Sequence, residues 1–134
     1  MSEENVEVIR AIYAAWGARD LDALLALTDP EIEFRTSGYF PDFEPIYRGH
    51  QGLRSFWEAM LVPWDESFRI DVEHIVEGDD CAAVAIRFRA RGKGSGVLTD
   101  LRQGHAMHFE NGRAVKLSAH TSFEEALEAA GLQE

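Results

Sequence analysis

The chain has 134 residues, enough for one domain with a real core but not for two ordinary ones. It is 46% hydrophobic and 28% charged, the balance of a globular domain, and no apolar run approaches the roughly 20 residues of a membrane span. Its net charge is −11, with 18 of the 24 acidic residues before Cys81, so the clustered Lys and Arg that hold nucleic-acid phosphates are missing. The acidic start "MSEENVEVIR" lacks the basic-then-apolar layout of a signal peptide, and a single cysteine rules out an internal disulfide; a cytoplasmic setting is the expectation.

In chain order, "NVEVIRAIYAAWGARDLDALLALTDP" predicts two helices. Val8 or Ile9, Ile12 and Trp16 recur at three- and four-residue spacing and make one apolar face. Gly17 is the expected stop of the first helix, Asp20 the cap of the second, and Asp29-Pro30 its end. "EIEFRT" alternates as a short strand with Ile32 and Phe34 on one face. "SGYFPDFEPIYRG" reads as a loop, aromatic enough to cover something and suited to act as a lid. "HQGLRSFWEAMLV" predicts a third helix, with His50 near its start in a capping role.

From Ser67 the period changes to two. Phe68, Ile70 and Val72 share a face, as do Val84, Ile86 and Phe88, whose strand carries Arg87, Arg89 and Arg91 on the other side. Turns at "EGDD", "GKGSG" and "ENGR" join four strands into an antiparallel meander, and "FEEALEAAGL" closes as a helix ending at Gly131. Helices first, then a sheet with one apolar face, give an α+β fold in a single domain over residues 1–134.

Three of the five histidines lie in "QGHAMHFENGRAVKLSAH", and the turn decides which faces inward. A two-residue Asn111-Gly112 loop puts Lys116, Ser118 and His120 on the face of His105. A three-residue loop with Gly112 left-handed instead sets Met107 opposite Val115 and His105 opposite Leu117, with His108, Lys116, Ser118 and His120 outside. A one-sided core demands the second arrangement, so three residues are expected in the loop and His105 is the inward histidine, with Gln103 and Met107 beside it. His74 continues the parity of Phe68, Ile70 and Val72, but Ile75 follows directly, and a β-bulge would reverse its direction.

The segments "NVEVIRAIYAAWGARDLDALLALTDPEIEF", "YRGHQGLRSFW", "VEGDDCAAVAIRFRARGKGSG", "AMHFENGRAVKLSAH" and "EEALEAAGL" together resemble the nuclear transport factor 2-like (ketosteroid isomerase-like) superfamily, and within it the SnoaL-like family. The resemblance covers nearly the whole chain in order. It implies a cone-shaped α+β barrel: N-terminal helices on a strongly bent, mostly antiparallel sheet, a C-terminal helix, and a pocket at the wide end. It also implies a homodimer through the outer sheet face. The resemblance does not extend to isomerase chemistry. The general-base Asp of ketosteroid isomerases falls at Phe34, their oxyanion Tyr at Ile12 and their second oxyanion residue at His105, and hydrocarbon can neither take a proton nor donate one. The acid–base Asp of SnoaL-type polyketide cyclases has no counterpart on the inner positions of the last two strands.

His105 is accordingly the candidate catalytic residue. Trp16, Phe34, Phe40, Tyr47, Trp57, His74, Phe88, Gln103 and Met107 are the candidate ligand-binding residues. Asp42, Glu44 and Asp65 are the carboxylates placed to pair with the imidazole, and Tyr13, Tyr39 or Tyr47 are the candidate donors. The alternative for His105 is a core residue satisfied by a carbonyl or water. Scattered histidines without ligand spacing predict no metal, and no motif calls for a cofactor. Two functions stay open: a binding pocket for a small, mostly apolar oxygenated molecule, or an acid–base isomerase, dehydratase or cyclase with His105 as proton carrier. A dimeric scaffold with a vestigial cavity is a third. For the dimer, Ala83, Ala85, Ala106 and Ala114 are the expected flat outer surface, with Asp71 opposite Arg87.

Overall fold

A computed structural model of the chain describes residues 3–38 and 42–134. Helix α1 (Glu3–Ala18) begins with two acidic residues, which suit the positive end of the helix dipole. Its buried side carries Ile9, Ile12 and Trp16, widened by Tyr13 and Ala15. The helix runs through Gly17, and Arg19 takes the left-handed turn (φ 55°) in its place. That conformation costs a non-glycine residue about 1 kcal/mol. Two backbone bonds, from Arg19 N to Trp16 O and from Asp20 N to Ala15 O, and a guanidinium bond to the Asp65 carbonyl (2.7 Å) hold it there. Asp20 caps α2 (Leu21–Ala26) by accepting from Ala23 N at 3.1 Å, as its position predicts. Asp29 and Pro30 do not end that helix; they lie at the irregular start of strand β1 (Thr28–Arg35).

The loop expected after β1 contains a short strand, β2 (Ile46–Arg48), antiparallel to β1. Helix α3 (Gly49–Leu61) follows. His50 does not cap it: its Nε2 donates to the Thr28 carbonyl (3.1 Å) and fastens α3 to β1. Strands β3 (Arg69–Glu77), β4 (Cys81–Arg91), β5 (Leu98–Glu110) and β6 (Arg113–His120) form the meander, in a sheet ordered β2-β1-β6-β5-β4-β3. The β1–β6 pair is parallel and the rest are antiparallel. The sheet is curved but not closed, so β2 and β3 remain as edges. Its concave side takes α1 and α3, and Val84, Ile86, Phe88 and Met107 there are sealed from solvent. Burying each such side chain contributes roughly 1.5–3 kcal/mol.

Helix α4 (Phe123–Ala130) packs on the convex side. Ser122 caps its start, and Gly131 (φ 71°) ends it, with Gly131 N bonded to Glu128 O and Leu132 N to Leu127 O. This placement corrects the expected dimer surface. Ala83 and Ala106 lie beneath α4 with Ala126 and Ala130, and Ala114 belongs to the concave core. The convex surface outside α4 is a set of ion pairs: Arg87–Asp100 (2.7 Å), Arg89–Asp71 (2.6 Å) and Arg102–Glu73 (2.9 Å). Asp71 does stand opposite Arg87 in register, but its ion pair is with Arg89.

Candidate functional site

The β5–β6 turn is the two-residue one. Glu110 pairs with Arg113, and Asn111 (φ 52°) and Gly112 (φ 76°) both take the left-handed conformation that such a turn needs. The expected three-residue loop is therefore corrected. Polarity is repaired one step later by a bulge: His108 faces Lys116 while Phe109 faces Ala114, which leaves Val115 as the extra residue. Met107 then meets Leu117 rather than Val115, and His105 meets Ala119 rather than Leu117. His105 still points inward, because one bulge residue does the work of one loop residue.

Inside the cone His105 borders a cavity of about 70 Å³. That exceeds the roughly 10–15 Å³ a single water needs and falls well below the roughly 300 Å³ of a pocket for a drug-sized ligand. Of the residues expected at a pocket, Trp16, Phe34, Phe88, Gln103 and His105 line it together. Helix α3 adds Phe56 and Met60, β3 and the residue before it add Ile70 and Phe68, and Thr36, Ser37 and Phe43 come from the segment after β1. Aromatic contacts stiffen the wall: Phe34 stacks on Phe56 at 4.3 Å between ring centroids, and Phe43 meets Phe56 edge-on at 5.3 Å.

Tyr13 supplies the partner of His105. Its hydroxyl lies 2.5 Å from His105 Nδ1, and the two rings are near-parallel at 5.8 Å. Burial pushes the phenol well above its ordinary range and pulls the imidazole down to about 4, the latter helped by nearby His120. Both groups are thus neutral at pH 7. Nδ1 is the one acceptor assigned to the phenol among the described residues, so the hydroxyl donates to it and the imidazole carries its own hydrogen on Nε2. With Nδ1 engaged by Tyr13, Nε2 is the ring nitrogen of this cavity-lining histidine that is left for another partner.

Other expected residues sit elsewhere. Met107 is wholly buried behind the cavity wall, and Trp57 packs on Trp16 in a tilted ring contact at 4.4 Å between centroids. Tyr47 packs on Phe56, and its hydroxyl accepts from Glu44 N (3.1 Å). A bulge between Val72 and His74 turns His74 to the convex side, where it pairs with Glu134 (3.0 Å) and meets Phe123. Phe40 and Tyr39, and with them the tip of the expected lid, lie outside the described residues. The three carboxylates do not reach His105: Asp42 and Glu44 are exposed, and Asp65 accepts from Ser67 N and Oγ, which holds it below the usual carboxylate range. No carboxylate lines the cavity among the described residues, and none of their His, Cys, Asp and Glu side chains form a metal-binding group. None of their helices is long and apolar enough to cross a membrane.

No curated protein matches the sequence. Solved structures do share the fold. TerC, co-crystallised with polyporic acid, is 21% identical, with a TM-score of 0.79 over 93% of this chain and 98% of its own. A nuclear transport factor 2-like protein of unknown function from Burkholderia pseudomallei is 25% identical, with a TM-score of 0.77 over 96% and 97%. A hypothetical protein with a ketosteroid isomerase-like fold from Catenulispora acidiphila, in complex with trimethylamine, is 16% identical, with a TM-score of 0.72 over 95% and 94%. A family model described as a SnoaL-like domain matches residues 9–117, a span that takes in the Tyr13–His105 pair and most of the cavity wall, and the chain belongs to that family.

Proposed function

We propose that the cavity binds a small, mostly apolar molecule carrying a carbonyl or ether oxygen, and that two copies of the chain pair through the convex face of the sheet. The observation that carries the first part is the Tyr13–His105 bond: in a largely aromatic wall it presents an N–H donor already oriented and paid for in desolvation. TerC with polyporic acid and the Catenulispora protein with trimethylamine are small-molecule complexes on the same fold, which supports a pocket of this kind. Acid–base turnover has less support. An imidazole near 4 is a weak base at neutral pH, and no cavity carboxylate among the described residues is there to raise it.

Cyclohexanone is a suitable probe, since it is compact, apolar and offers one acceptor. Replacing His105 alone by Phe strands the buried Tyr13 hydroxyl, so stability falls by about 1–3 kcal/mol. Replacing both partners together, Tyr13→Phe with His105→Phe, removes donor and acceptor at once and is nearly neutral for folding. The double variant should nevertheless lose about 1–3 kcal/mol of cyclohexanone affinity, read by titration calorimetry or ligand-observed NMR. Unchanged affinity in a well-folded double variant sinks the reading.

A further inference from the structure

Strand β5 gives the cavity lining two polar side chains, Gln103 and His105. Register fixes their direction: Gln103 stands opposite Ile86 and His105 opposite Val84, and both of those partners are buried in the concave core. Residues directly opposite in a ladder share a face, so Gln103 and His105 do too, about 6–7 Å apart along the strand. They differ in depth. His105 is buried, whereas Gln103 is half-buried and stands one row beyond the end of β6, whose last residue, His120, pairs with Gly104. Each has polar atoms to spare. His105 has Nε2 left over, and the Gln103 carboxamide has no hydrogen-bond partner among the described residues. The other polar side chains of the lining are engaged: Tyr13 donates to His105, Thr36 donates to the Glu44 carbonyl at 2.7 Å, and Ser37 has a partner as well.

We infer that Gln103 is the second polar anchor of the cavity and selects a ligand with a hydroxyl at the end opposite its carbonyl. This rests on the cavity reading above, in which His105 takes the carbonyl oxygen. A carboxamide donates through its nitrogen and accepts through its oxygen, so it matches a hydroxyl, which does both. Opposite corners of a six-membered ring place two oxygens at a separation that these side chains span, with the carbonyl deep and the hydroxyl toward the end of β6. A purely apolar wall favours a methyl group over a hydroxyl of similar size, because the hydroxyl loses its water. A built-in partner for the hydroxyl reverses that order. Gln103 is only half-buried and water competes with it, so the gain is about five- to tenfold.

The test is an NMR titration with 4-hydroxycyclohexanone, set against 4-methylcyclohexanone, which has similar size and no hydroxyl. The hydroxyl compound should bind about five- to tenfold more tightly and shift the side-chain amide signals of Gln103, which the methyl compound should leave in place. Gln103→Leu keeps the bulk and loses both polar atoms, so it should reverse the order of the two compounds. The carboxamide has no protein partner to strand among the described residues, so that variant should keep a melting temperature close to the parent's. Gln103→Asn retains the amide but shortens its reach, and it should lose the preference as well. Equal binding of the two compounds, tighter binding of the methyl compound, or a preference that survives Gln103→Leu overturns the inference and leaves the cavity reading intact. Binding of neither compound overturns both.

Discussion

Free imidazole takes up a proton below about pH 6.5, but His105, buried against Tyr13, does so in the folded protein only near 4. Between those values the unfolded chain binds more protons than the folded one, so stability falls as pH is lowered through that window. At about 1.4 kcal/mol per unit the loss has a ceiling of about 3 kcal/mol. Burial also lowers His108 and His120, which act in the same direction, but their greater exposure weakens the effect. Asp65, Glu33 and Asp100 are held low by Ser67, Arg35 and Arg87, so their stabilising contributions fade mainly at more acidic pH. Urea unfolding at pH 7 and pH 4.5 should therefore show a drop that is clearly smaller in the Tyr13→Phe/His105→Phe variant; parallel drops would mean that His105 is not the group responsible. The demand for one apolar face pointed His105 inward, although the three-residue loop it was argued through is a two-residue turn followed by a bulge. The histidine's partner was less legible: Tyr13 lies about 100° around the helix from Ile12, at the margin of the apolar stripe, and only the docking angle of α1 decides what such a residue meets. Phe56 and Phe68 were hidden for the same reason, since periodicity marks them as core and does not say which core residues border a void.

At the scale of elements, the close fit of α4 on the sheet rests on small residues. A Cβ added to Gly104 would stand 2.5 Å from the Ser122 carbonyl and 2.8 Å from both Ala126 Cβ and Phe123 Cα. Two of those atoms are backbone and cannot rotate away. Gly104→Ala should destabilise the fold by about 1–3 kcal/mol through overpacking, whereas Gly17→Ala, in a helix and facing open space, should stabilise it by up to about 1 kcal/mol. Urea midpoints of the two variants give the comparison, and a neutral Gly104→Ala would show that α4 shifts freely over the strands. The helices and the four-stranded meander could be read from period and turn residues. The bulges could not: those after Val72 and around Val115 each insert one residue, and an apolar-polar pattern shifted by one looks the same whether the slip lies in the turn or in the strand. Strand β2 escaped because three residues carry no period. Arg19 escaped because its left-handed turn is fixed by a contact with Asp65, 46 residues away.

The whole molecule is strongly acidic, and two copies at net charge −11 repel unless they meet where charge is balanced. The convex face beside α4 offers such a place, with three arginines matched to three carboxylates across β3, β4 and β5. The sequence suggested this face through its alanines, but the helix α4 claims Ala83 and Ala106, so what is left for a partner is the ion-pair surface. Such a surface is self-complementary under two-fold symmetry, because an arginine row on one copy can lie over the acidic row of the other. Its attraction is electrostatic and partly exposed, and therefore weak in salt. Sedimentation equilibrium at micromolar concentration and low ionic strength should give twice the mass of one chain and shift toward one chain in molar salt. Arg87→Glu leaves Asp100 unpaired and makes the face net negative, so that variant should sediment as a single chain at low salt while its melting temperature stays close to that of the parent. A parent that is monomeric at low salt, or a charge-reversed variant that remains dimeric, would place the contact between copies on another surface or remove it altogether.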